Sequence, residues 1–130
     1  MKFKIGDQAR LTKTITAQDI RMFAELSGDK NSVHLDPEFA KNTIFKGVIA
    51  HGLYIASFIS AILGNQLPGP GSIYLNQELK FTKPAYIGDD VTAEVTVLEF
   101  PKPSLVKLKT VCYNQNNDIL IDGIALIKVL

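Results

Sequence analysis

The stretch "HGLYIASFISAIL", His51–Leu63, decides how this chain is read. It holds no lysine, arginine or carboxylate, and apolar residues occupy almost every side of the helix it predicts. A helix with almost no polar face is buried on most sides. Gly64 and Pro68 just beyond it are breakers and are expected to end it. A helix of this kind needs a layer of other structure to wrap it.

The wrapping is found downstream, in four segments of period-two alternation. "SIYLNQELKF" sets Ile73, Leu75, Gln77, Leu79 and Phe81 against Tyr74, Asn76, Glu78 and Lys80. "VTAEVTVLEF" places Val91, Ala93, Val95 and Val97 on one face, and "LVKLKTVCY" does so with Val106, Leu108, Thr110 and Cys112. "DILIDGIALIKVL" carries Ile119, Ile121, Gly123, Ala125, Ile127 and Val129. Turn-forming "PAYIGDD", "PKPS" and "NQNND" separate them. A short strand over Gln8–Thr14, with Ala9 and Leu11 on one side, adds a fifth. The expected class is α+β: about five antiparallel strands curled round one buried central helix.

Upstream of that helix lie two shorter ones. "TAQDIRMFAELSGD" offers Thr16 as N-cap with Asp19 three residues on, then Ile20, Phe23 and Ala24 at helical spacing. Gly28 falls where a left-handed residue would end the helix. In "DPEFA", Asp36 is a cap and Pro37 the first helical residue. Between these helices runs "SGDKNSVH", Ser27–His34. Asp29 and His34 therefore bracket a tight connection, with both side chains free to point one way.

The 130 residues fit a single domain spanning 1–130. Net charge is +1 with 21% charged residues, so no basic field points to nucleic acid. With a single cysteine, Cys112, no disulfide framework and no four-ligand zinc pattern is expected within the chain. No apolar run is long enough for a membrane span, and "MKFKIGDQAR" lacks the core of a signal peptide. The expected compartment is the cytoplasm.

"FAELSGDKNSVHLDPEFA" (Phe23–Ala40) resembles the signature of the MaoC-like, (R)-specific enoyl-CoA hydratases. Asp29, Asn31, Val33, His34 and Ala40 match it, and Ser32 stands where the family carries proline. The resemblance continues through "VIAHGLYIASFIS" (Val48–Ser60) and "LPGPGSIYLNQELKF" (Leu67–Phe81). There it is closest to small bacterial hydratases associated with polyhydroxyalkanoate synthesis. It implies the hot-dog fold and reversible hydration of trans-2-enoyl-CoA to (3R)-3-hydroxyacyl-CoA. It also implies a homodimer and no metal or other cofactor, coenzyme A being part of the substrate. Under it, Asp29 and His34 are the proton-handling pair, Gly52 donates its N–H to the thioester oxygen, and Ser60 faces the pocket.

The residues support part of this independently. Gly52 falls at the start of the buried helix, where first-turn N–H groups lack intrahelical partners and the dipole adds positive charge. Ser60 lies eight residues on and is expected on roughly the same helix face. Other residues have plainer readings. His51 is read as a helix-start residue bonded to backbone in preference to a second acid–base group. Asn31 either orients Asp29 or favours the turn. Cys112 packs in the core, and Lys80, Lys83 and Lys102 receive no role. A dehydratase acting on acyl carrier protein would use the same pair, and a non-catalytic acyl-thioester-binding module would not need it. A thioesterase of this fold usually carries its acid on the central helix, and Gly52–Leu63 has no carboxylate.

Overall fold

The computed structural model describes residues 2–130. In chain order the elements are β1 (Gln8–Thr14), α1 (Ala17–Ser27), α2 (Ser32–Leu35), α3 (Pro37–Lys41), α4 (Gly52–Asn65), β2 (Ser72–Phe81), β3 (Asp90–Lys102), β4 (Leu105–Tyr113) and β5 (Ile119–Val129). The strands form one antiparallel sheet in the order β1-β3-β4-β5-β2. Helix α4 touches β3 and β4 in the middle of the sheet and also β1 and β2 at its two edges. Five strands spaced about 4.8 Å apart span too much width for a flat sheet to offer both edges to one helix, so the sheet curls round α4. The α+β class and the wrapped helix are as the alternation and the apolar stretch predict. No helix among the described residues is long and apolar enough to cross a membrane.

The core is the space between helix and sheet. Ile55, Phe58, Ile59, Ile62 and Leu63 of α4 meet Val91, Ala93, Val95 and Val97 of β3 and Val106, Leu108 and Cys112 of β4, all buried. Burying each large aliphatic side chain contributes about 1.5–3 kcal/mol, which makes this interface the main source of stability.

Three local expectations are corrected. Helix α4 runs through Gly64 to Asn65, because a glycine inside a packed helix costs only about 1 kcal/mol. As expected it is buried on most sides, with Leu53, Ser57, Ser60 and Gly64 forming an exposed stripe along it. In β2 a bulge lies between Tyr74 and Asn76. Tyr74 pairs with Ile127 and Gln77 with Ala125, so the extra residue, Leu75, reverses which face is which. Ile73 and Leu75 are therefore exposed, whereas alternation sets them with Leu79. A second irregularity lies where Cys112 pairs with Ile121 but Tyr113 pairs with Ile119. The skipped residue, Leu120, is buried and Ile119 is turned out.

Candidate active site

Local chemistry builds the Asp29 turn. Thr16 Oγ1 accepts from the Asp19 N–H at 3.1 Å and starts α1. Gly28 ends it with φ at 82°, a conformation that residues with a Cβ rarely adopt. The chain then turns out at Asp29, whose N–H donates to Ser27 Oγ at 3.1 Å. Asp29 Oδ1 accepts from the Asn31 N–H at 3.2 Å, and Asn31 Oδ1 accepts from the Val33 N–H at 3.2 Å. Asn31 is thus the N-cap of α2; its backbone, not its side chain, contacts Asp29. His34 sits inside α2, where the sequence suggests only an irregular connection. One turn of helix is too short to leave a periodic signal.

The segment Ile49–Gly52 then gathers the site. The Ile49 N–H donates to the Val33 carbonyl at 3.3 Å, and His34 Nδ1 donates to the Ile49 carbonyl at 2.7 Å. A carbonyl only accepts, so Nδ1 carries the proton and Nε2 of the neutral ring keeps its lone pair. His51 Nε2 donates in the same way to the Asp29 carbonyl at 2.8 Å. The two imidazoles stack with centroids 3.8 Å apart. Donor atoms of Asp29, His34 and His51 all lie within 4.8 Å of one another. One water hydrogen-bonded at about 2.8 Å to two acceptors spans such a gap.

Asp29 and His34 border a cavity of about 410 Å³, together with Gly52. Its walls are Phe45, Ile49, Ile55, Phe81, Leu120 and Ile121, with Leu53 and Lys83 also on its lining. Gly52 is the first residue of α4, and its N–H meets no acceptor among the described residues. That free donor, at the positive end of a helix and on a residue that lines the cavity, is suited to an oxygen that gains negative charge. Burial holds the His34 pKa below the usual imidazole value and the nearby His51 pushes the same way, while the Ile49 carbonyl and Asp29 oppose them. The three-residue cluster has donor types that suit a metal ion, and each imidazole donates one ring N–H to a backbone carbonyl and keeps its other nitrogen.

Ser60 is not brought to this place. It is exposed and absent from the cavity wall. Eight residues at 100° each leave it about 80° round the helix from Gly52, and seven residues leave it about 20° from Leu53. It shares the outward stripe with Leu53. Lys83 borders the cavity while paired to Asp118 at 3.2 Å. Phe45 and the Thr82–Ala85 wall escaped sequence reading because irregular loops carry no period. Leu120 escaped because a bulge reversed its face.

Residues 4–117 match the family described as the MaoC-like domain. This chain belongs to the MaoC-like family. It is 48% identical over 127 residues to the (R)-specific enoyl-CoA hydratase of Rhodospirillum rubrum, covering 97% of this chain and 88% of that protein. It is 45% identical to the (R)-specific enoyl-CoA hydratase of Aeromonas caviae, covering 97% and 95% of the two. A solved structure described as the (R)-hydratase from A. caviae involved in PHA biosynthesis superposes with a TM-score of 0.96 at 42% identity. That match covers 99% of this chain and 98% of the other. Membership carries with it the hot-dog fold expected from the sequence, here as an open five-stranded sheet.

Proposed function

We propose that this MaoC-like protein is an (R)-specific enoyl-CoA hydratase, a hydro-lyase that reversibly converts trans-2-enoyl-CoA into (3R)-3-hydroxyacyl-CoA. The observation that carries the reading is the meeting of three groups at one apolar cavity: Asp29, His34 and the unpartnered N–H of Gly52. The names borne by the two relatives at 45% and 48% identity support the same reaction.

In the proposed mechanism a water donates its hydrogens to Asp29 and to His34 Nε2. Its oxygen adds to C3 as one of these groups takes the proton, and C2 receives a proton from the pair on the same face. The electrons of the C2=C3 bond pass toward the thioester oxygen, whose charge the Gly52 N–H stabilises at the end of α4. The apolar walls take the acyl chain. Water and a proton relay suffice for this reaction, so no metal or redox group is assigned a step. We further propose that the protein acts as a C2 homodimer, because both sheet edges and the outer stripe of α4 lack a partner among the described residues.

Hydration of crotonyl-CoA, followed by loss of the enoyl thioester absorbance, tests the reaction. The product is expected to be the (3R)-alcohol. Asp29→Asn and His34→Ala are each expected to lower kcat/KM by about 10²-fold or more while folding is kept, as for loss of a general acid–base group. A (3S) product, or near-normal turnover by either variant, contradicts the assignment. Faster turnover of the crotonyl thioester of acyl carrier protein would move the enzyme to that carrier.

A further inference from the structure

Among the described residues three hydrogen bonds hold Asp29, and only one reaches beyond its own loop. Its N–H and its Oδ1 are bonded to Ser27 and Asn31, each two positions away. The third bond comes from His51 Nε2, 22 positions along the chain, to the Asp29 carbonyl at 2.8 Å. The His51 ring is 2% exposed, stacks on His34, and meets Phe23 with centroids 4.9 Å apart. Its Nδ1 is buried with no partner among the described residues. A ring needed for packing alone would be better without that nitrogen, because a buried acceptor with no donor is destabilising. What remains to explain a histidine is the Nε2–H and its reach to Asp29.

His51 is also the N-cap of α4 and directly precedes Gly52. The segment it belongs to is itself anchored, since the Ala50 N–H donates to the Ala85 carbonyl at 2.9 Å. We infer that His51 is a positioning residue: it ties the Asp29 loop and the His34 ring to the start of α4, and so sets the proton-handling pair in register with the Gly52 N–H. The inference rests on the roles proposed above for Asp29, His34 and Gly52. It extends the plain reading of His51 as a helix-start residue bonded to backbone, because its side-chain bond goes to the backbone of the Asp29 loop and not to its own helix.

Two variants separate position from packing. His51→Phe keeps a ring to stack on His34 and loses both nitrogens. His51→Gln keeps an N–H that can reach the Asp29 carbonyl. Melting temperature, kcat and KM for crotonyl-CoA are measured on both, with Asp29→Asn alongside. The expected H51F protein melts at or above the wild-type temperature. Its kcat falls about 10²-fold, the usual loss when a catalytic group is misplaced by about 1 Å, while KM stays within about threefold. H51Q is expected to keep kcat within about tenfold of wild type. A folded H51F with wild-type kcat overturns the inference. Should H51F fail to fold, H51Q decides alone: a folded H51Q with a loss larger than tenfold overturns it. Asp29→Asn separates the two levels. If it stays active, the reading of the acid–base pair fails; if it is inactive while H51F is active, only the role of His51 fails.

Discussion

His34 shows how a single ring acquires a direction. Its Nδ1 proton is committed to the Ile49 carbonyl at 2.7 Å, which leaves Nε2 as the only lone pair able to accept from water. Burial favours the uncharged ring and lowers its pKa. The sign for stability follows. With the folded-state value below the unfolded one near 6.5, the unfolded chain binds the proton first as pH falls. The contribution is complete above about pH 6.5 and is lost as pH drops through the window below it. Denaturant titrations across this range are expected to show stability falling with acid, with a shallower slope in His34→Gln. Because the neutral ring must accept a hydrogen bond from the attacking water, the acid limb of kcat/KM is expected below about pH 6.5. A limb at or above that value would mean that His34 is not held in the neutral form.

Helix ends carry the rest of the site. In α2, Asn31 is the cap and Ser32 the first helical residue, the position where proline loses no hydrogen bond. The family's proline therefore stiffens a turn that the Asn31 cap already forms here. Ser32→Pro is expected to raise stability by about 0.4–1 kcal/mol with turnover unchanged, read from melting temperature and kcat on one preparation. At the start of α4, a Cβ on Gly52 would lie 2.6 Å from the Phe81 ring. That ring is 54% exposed and has room to swing, so Gly52→Ala is expected to fold. Its kcat is expected to fall by about 10²–10³, as for a lost oxyanion donor. Adding Phe81→Ala removes the clash. If the blocked N–H is the cause, the double variant stays far below Phe81→Ala alone; recovery to that level would reduce Gly52 to a packing residue.

At the scale of the whole molecule, an open sheet ends in β1 and β2, and unpaired edges favour association. Exposed Ile73 and Leu75 near the bulge of β2 and exposed Leu53 on α4 add apolar surface. Sedimentation equilibrium at micromolar concentration is expected to give a dimer, which by C2 symmetry would carry two equivalent sites. A monomer with full activity would exclude a role for the second copy. Much of this molecule is legible residue by residue. The alternation of β3 and β4, the cap at Thr16, the left-handed Gly28 and the Asp29–His34 spacing are local, because a period or a cap depends on residues within a turn or two. Other features exist only once distant segments meet. The bulges at Leu75 and Leu120 are set by which backbone groups pair across strands, and each reverses the face of its neighbours. Ser60 is turned outward because the sheet covers the other sides of α4, and an apolar sequence does not say which side stays open. The bond from His51 to Asp29 joins a helix start to a loop 22 residues earlier, and only the folded chain brings the two within 2.8 Å.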